Sequence, residues 1–474
     1  MMLSYFTALG LLAGAALAVN PVVMKGADFV DSTTNNRVMV IGVDYQPGGQ
    51  SGYDPGSGVD PLSNGTVCLR DAALMQDLGL NTIRVYNVDP DLNHDQCASI
   101  FNEVGIYMIV DVNSPLGGES IDRSNPSGSY TASYLNRTFA VVEAFKGYPN
   151  TMAFFAGNEI INDVPTSKAN PPYIRAVQRD LKNYIAKHSS RSIPVGYSAA
   201  DVREVLQDTW AYLQCAIDGN DKDVSRSDFF GLNSYSWCGD QATFQSAGYD
   251  ALVSMFSATT IPVFFSEYGC NTPSPRVFNE VQALYGPQMT TLSGGLVYEF
   301  TQETSNFGLI NVNDNGTASL LVDYDNLQSQ MSKLNVTLLQ SSNASQTQAQ
   351  PPACSSGVVS SSQFGANFTL PSTPSGAQDL INNGLSNPQQ GKVVQVSSTQ
   401  VPMSVYATNG SQIEGLAIKP LQGNQANTPN QAGTSGGSAS NTPAPKHSGA
   451  TGLASHMPGV FLVGLFSCII VLVL

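Results

Sequence analysis

Short apolar runs alternate along this chain with longer stretches whose apolar residues recur at helical spacing. Eight runs predict strands: Val38–Val43, Thr82–Tyr86, Ile106–Val112, Met152–Ala156, Ile193–Tyr197, Phe229–Leu232, Ile261–Glu267 and Gly295–Tyr298. Between them, helices are predicted over Cys68–Leu78, Cys97–Val104, Leu135–Phe145, Tyr173–His188, Tyr249–Phe256 and Arg276–Tyr285. Near-continuous apolar strands alternating with helices make an α/β chain with a parallel sheet. Eight such pairs in about 250–300 residues are what a (β/α)8 TIM barrel requires. A doubly wound open sheet is the competing arrangement, but no glycine-rich phosphate turn follows the first strand.

In a barrel the C-terminal strand ends carry the chemistry. The fourth strand runs into Gly157-Asn158-Glu159 and the seventh into Ser266-Glu267-Tyr268. Either glutamate alone reads as well as a surface charge at a strand end. Two of them meet the need of glycosidic cleavage for paired carboxylates. The other ends are polar and aromatic: Asp44-Tyr45-Gln46 after the first, Arg84-Val85-Tyr86-Asn87 after the second, and Asp111-Val112-Asn113 after the third. Asn233-Ser234-Tyr235-Ser236-Trp237 follows the sixth and Tyr298-Glu299-Phe300 the eighth. Rings that stack on sugar faces and amides that bind hydroxyls suit a carbohydrate cleft.

Charged residues make up 12% of the 474-residue chain and the net charge is −15, which argues against nucleic acid as a partner. Both termini read as processing segments. Residues 1–18 end Ala16-Leu17-Ala18 behind a short apolar stretch, a secretory signal peptide pattern. Gly459 to Leu474 is apolar to the last residue. With small residues upstream and a spacer of roughly 8–12, it predicts a glycolipid (GPI) anchor at Ser448 or Gly449, ahead of Asn441, and removal of 449–474. A tail-anchored transmembrane helix is the other reading, disfavoured by the shortness of the run. Outside that tail six cysteines remain, Cys68, Cys97, Cys215, Cys238, Cys270 and Cys354, an even number suited to disulfides in an oxidising compartment. Their spacing holds no metal pattern, and neither metal nor cofactor is expected. Sequons stand at Asn64, Asn136, Asn315, Asn335, Asn343, Asn367 and Asn409. The catalytic region is expected to span 19–340. A partly ordered extension over 341–422 packs on it, followed by a Ser/Gly/Pro/Asn-rich stalk over 423–448.

Several of these stretches closely resemble glycoside hydrolase family 72, the GPI-anchored β-1,3-glucanosyltransferases of fungal cell walls. They are Gly42-Val43-Asp44-Tyr45-Gln46-Pro47-Gly48-Gly49, Cys68-Leu69-Arg70-Asp71, Thr82-Ile83-Arg84-Val85-Tyr86, Gly157-Asn158-Glu159, Asn233-Ser234-Tyr235-Ser236-Trp237-Cys238 and Ser266-Glu267-Tyr268-Gly269-Cys270. The resemblance runs from about Pro21 to Cys354 and is to the subgroup without the cysteine-rich carbohydrate-binding module. It implies a (β/α)8 barrel with Glu159 as acid/base and Glu267 as nucleophile. It implies that Gln46, Tyr86, Asp111, Asn158, Tyr235 and Tyr298 line donor and acceptor subsites. It also implies disulfides Cys68–Cys97, Cys215–Cys354 and Cys238–Cys270. The implied partners are β-1,3-glucan donor and acceptor chains, with the protein a monomer held at the plasma membrane by its anchor or passed into the wall.

For a retaining reaction the two glutamates need to lie about 5–5.5 Å apart. Tyr235 and Arg84 are the expected hydrogen-bond partners that keep Glu267 charged, and Tyr86 and Tyr298 the expected holders of an acceptor glucan. An endo-β-1,3-glucanase and a non-catalytic wall glycoprotein are the alternatives.

Overall fold

The computed structural model describes residues 19–341 and 348–430. The expected signal peptide, Asn343, the anchor residues Ser448 and Gly449 and most of the expected stalk lie outside the described residues. No helix among those described is long and apolar enough to cross a membrane.

After an antiparallel hairpin, β1 (Val22–Lys25) and β2 (Asp28–Asp31), come eight parallel strands: β3 (Val40–Tyr45), β4 (Thr82–Val85), β5 (Tyr107–Asp111), β6 (Thr151–Asn158), β7 (Val195–Ala200), β8 (Phe230–Asn233), β9 (Val263–Tyr268) and β10 (Gly294–Val297). They pair in chain order and β10 closes on β3, making a barrel. Each expected strand is present, with ends shifted by at most three residues. Alternation explains which side chains enter the barrel. Tyr107, Ile109 and Asp111 share one face of β5, while Met108 and Val110 join the helix layer outside. Gly42 on β3 is glycine because a Cβ there would lie 2.5 Å from the Leu296 side chain and 2.2 Å from the Thr82 carbonyl. The hairpin plugs the N-terminal end, its Phe29 ring packing against Phe229 and Phe264.

The outer ring includes α1 (Gly65–Asp77), α2 (Asp95–Glu103), α4 (Ala132–Phe145) and α6 (Pro171–His188), with a short α3 (Pro126–Ser129) and α5 (Thr166–Ala169) between. It continues with α7 (Leu206–Gln214), α8 (Tyr249–Met255), α9 (Glu280–Leu284) and α10 (Val322–Met331). The hairpin, α7 and α10 have no counterpart in the sequence reading. The helix expected over Arg276–Tyr285 begins only at Glu280. Phe278 adopts a positive φ of 53° and Arg276 is committed to long-range contacts.

Residues 348–430 form a belt around this ring, visiting the helices in reverse chain order. Cys354 is joined to Cys215 after α7. The Ser360 and Ser361 amides donate to Asp208 at 2.7 and 2.9 Å, and Tyr212 donates to the Asn367 carbonyl and stacks on Phe368. A helix at Ala377–Asn383 packs on α6 and α4. The Lys392 amide then donates to Asp95 on α2, and the Lys419 amide to Gln76 on α1. On the way Val405–Tyr406 adds a parallel strand to a hairpin of Ile310–Val312 and Ala318–Leu320. The expected stalk does not begin at 423. Asn427 is fully buried, its amide donating to the Gly105 carbonyl and its side chain to the carbonyls of Gln76 and Leu80.

Gly391 marks a close approach: a Cβ there would meet the Tyr148 ring at 2.3 Å and the Ala144 carbonyl at 2.4 Å. Substituting Gly391→Leu is expected to lower stability by about 1–3 kcal/mol through overpacking. Calorimetry of the secreted protein measures this, and an unchanged melting temperature would show the belt free to lift off.

Candidate active site

Arg84 on β4 points into the barrel and is fully buried over the faces of Tyr86 and Phe155. A charge there needs opposite charge and hydrogen-bond acceptors. Asp111 on β5 supplies both in a two-pronged contact, Nε to Oδ1 at 3.0 Å and Nη2 to Oδ2 at 2.9 Å. The remaining N–H groups reach β6 and β9: Nη2 donates to Asn158 Oδ1 at 3.1 Å, and Nη1 donates to the Ser266 carbonyl and to Glu267 Oε1, both at 3.2 Å.

Glu267 thereby becomes the acceptor of three donors. Besides Arg84, Tyr86 donates to Oε1 at 2.8 Å and Tyr235 to Oε2 at 2.7 Å. Burial pushes its carboxyl up to about 7; Arg84 pulls it down, the Glu159 charge pushes it up, and the two tyrosine hydroxyls pull it down. The Cys238–Cys270 disulfide joins the segments that follow β8 and β9, close to Tyr235 and Glu267.

Glu159 is placed differently. It follows β6 with a positive φ of 49°, a conformation that costs an L-residue of its kind on the order of 1 kcal/mol. Its amide donates to the Ser198 carbonyl at 2.8 Å, and its half-buried carboxylate accepts from Asn233 Nδ2, also at 2.8 Å. Asn233 is the link between the two glutamates. It pairs with Glu267 in the strand register, and its Oδ1 accepts from Ser198 and Ser266, which leaves its Nδ2 to face Asn158 and Glu159.

The residues anticipated from the strand ends are therefore assembled at one mouth, with differences in detail. Tyr86 is buried and its hydroxyl is taken up by Glu267. Asp111 is 4% exposed and occupied by Arg84. Gln46 is buried just beyond β3, its carbonyl accepting from the Gly49 amide. Tyr298 is half-buried, its ring meeting the edges of Tyr86 and Tyr235 with centroids 6.5 and 6.3 Å away.

Sequence reasoning gave no role to four residues here. Asp44, fully buried on β3, has its carboxyl raised well above the usual range by burial; Arg84 opposes the rise and Glu267 adds to it. Asn233 looks like any polar strand end until the register is known. Phe307 packs on Tyr235 and Tyr298 at 5.5 and 5.4 Å. Glu299, which accepts from Ser305, is pushed up to about 7 by burial. Asn233, Asp44 and Glu299 carried a detectable signal, their place at barrel strand ends; Phe307 carried none. The Cys68–Cys97 pair lies away from the site, joining α1 to α2.

Known proteins share this arrangement of sequence and fold. The chain is 55% identical over 425 residues to the 1,3-beta-glucanosyltransferase gel2 of Aspergillus fumigatus, covering 90% of this chain and 88% of that one. It is 48% identical over 382 residues to the probable 1,3-beta-glucanosyltransferase GAS3 of Saccharomyces cerevisiae, covering 78% and 72%. Among solved structures, Saccharomyces cerevisiae Gas2p in complex with laminaripentaose superposes with a TM-score of 0.67 at 33% identity, covering 76% of this chain and 78% of that one. The sequence profile of the glucanosyltransferases, glycoside hydrolase family 72, matches residues 12–335, and the chain belongs to that family.

Proposed function

We propose that the chain is a β-1,3-glucanosyltransferase acting by two displacements at one anomeric carbon, with Glu267 as nucleophile and Glu159 as acid and then base. The observation that carries the assignment is the unequal surroundings of the two carboxyls. Glu267 accepts from a guanidinium and two phenols, groups that favour its charged form and fix its aim. Glu159 is half-buried and tethered by one amide, so it has room to release a proton and take one back.

In the first displacement a Glu267 oxygen bonds to the anomeric carbon as the glycosidic bond breaks, and Glu159 delivers its proton to the departing oxygen. The released fragment leaves a glycosyl ester on Glu267. In the second, Glu159 removes the proton from a 3-hydroxyl of an incoming glucan. That oxygen displaces Glu267, and two inversions give net retention. The product is a longer chain, provided the acceptor outcompetes water. Tyr298, Phe307 and Tyr235, three half-buried rings in mutual contact, are the groups suited to hold it. The relatives' names and the laminaripentaose in Gas2p support β-1,3-glucan as donor and acceptor. The signal-like start and the small residues before the apolar tail support a protein held at the cell surface by a glycolipid at Ser448 or Gly449.

Incubation with a reduced laminari-oligosaccharide is expected to yield products longer than the substrate; only shorter ones would make the enzyme a glucanase. Glu267→Gln and Glu159→Gln are each expected to lower turnover at least about a thousandfold while the protein is still secreted folded. Turnover above a per-cent level in Glu267→Gln would overturn its assignment as nucleophile.

The Tyr235 hydroxyl holds the Glu267 carboxyl down, so its removal lets that pKa rise. The acid side of the kcat/KM profile, where Glu267 loses its charge, is expected to move to higher pH in Tyr235→Phe. A loss of rate with an unmoved profile would mean that the hydroxyl serves the sugar and not the carboxylate.

A further inference from the structure

Two of the three rings assigned to the acceptor, Tyr298 and Phe307, lie in 298–308, a loop leaving the last barrel strand, and Arg276 gathers this loop. Arg276 is 2% exposed and sits beyond β9. Its Nη1 donates to the Tyr298 carbonyl at 2.6 Å and to the Gly269 carbonyl at 3.4 Å. Its Nη2 donates to the carbonyls of Phe307 at 2.5 Å and Gly308 at 3.3 Å. Nε is turned the other way and donates to Asp323 Oδ2 on α10 at 2.6 Å, while the Arg276 amide donates to Oδ1 of the same carboxylate. Asn271, five residues earlier, donates to the carbonyls of Ser305 and Asn306 at the loop tip.

We infer that Arg276 is a positioning residue for the acceptor glucan and sets the partition of the glycosyl-enzyme between transfer and hydrolysis. The inference rests on the proposed transferase reading and adds to it. Its hydrogen bonds to the loop all fall on backbone carbonyls, and its guanidinium lies 5.8 Å from the Phe307 ring centre, so it fixes the path of the loop and with it the angle at which Tyr298 and Phe307 present their rings. Cleavage of the donor depends chiefly on groups carried by barrel strands, which Arg276 does not touch. Transfer depends in addition on a second sugar chain staying in place until it attacks, whereas water needs no platform. Loosening the loop therefore weakens transfer more than cleavage. A lysine in place of Arg276 keeps the charge but has no planar fork to hold carbonyls on both sides of the loop.

The test is a titration of laminaripentaose as acceptor with Arg276→Lys, and with Asn271→Ala, which loosens the same loop without unpairing a buried charge. Arg276→Lys is expected to raise the acceptor KM about tenfold, leave the limiting transfer rate within about threefold, and lower the ratio of lengthened to hydrolysed products at fixed acceptor about tenfold. Asn271→Ala is expected to move KM and ratio the same way by a smaller factor. Cleavage and transfer falling in parallel in Arg276→Lys would overturn the inference. So would an unchanged ratio in Asn271→Ala, which decides the matter if Arg276→Lys is not secreted. A wild-type protein that makes no longer chains would refute the transferase reading instead.

Discussion

The contact on which the site depends is the one between Arg84 and the carboxylates around it. A guanidinium shut inside a barrel is stable only with acceptors at fixed places, and removing one partner of such a buried pair costs about 3–5 kcal/mol. Arg84 finds those places on β5, β6 and β9 at once, through Asp111, Asn158, Ser266 and Glu267. The strands must close in one register for all these bonds to form. The same charge makes an anionic Glu267 tolerable beside buried Asp44 and close to Glu159. Fold specificity and catalytic electrostatics are thus carried by one side chain.

Much of this was legible in the sequence because a closed parallel sheet writes itself in a simple pattern. Fully buried strands are short apolar runs, and their ends are where polar residues reappear. Glu159, Glu267, Tyr235 and Arg84 were singled out that way, as polar residues at strand ends. What the pattern lacks is register. Asn233 joins the two glutamates only because β8 and β9 align it with Glu267, and no residue type announces that. The Arg276–Tyr285 stretch misled for a related reason. Val277, Phe278, Val281 and Leu284 have helical spacing, yet Phe278 turns with a positive φ and leaves Arg276 free to reach across to the neighbouring loop.

The belt was hard to read for the opposite reason. Residues 348–430 have little periodicity of their own, and composition alone made them an extension and a stalk. They are ordered by groups on the barrel: Asp208, Asp95 and Gln76 accept from belt amides, and Arg179 donates to the Pro371 carbonyl. Each such bond contributes about 1 kcal/mol, so many are needed, and the belt spreads them over α1, α2, α4, α5, α6, α7 and α10. The Cys215–Cys354 disulfide, spanning 139 residues, keeps the start of the belt near its track. The information for this segment sits in the surface it lies on.

Arg84 and Arg276 are both buried cations at the same mouth, and they differ in what they hold. Arg84 binds groups on strands, so Glu267, the proposed nucleophile, moves only if the barrel moves. Arg276 binds the carbonyls of a loop, and its own anchor, Asp323, lies outside the barrel on α10. A loop held this way is fixed in position while its side chains stay available to a ligand. Glycosyl transfer asks for that division. The first displacement needs rigid electrostatics around one carbon, and the second needs a surface that releases one chain and receives another between steps. A site built wholly on strands would serve the first need and hinder the second; a site built wholly on loops would do the reverse.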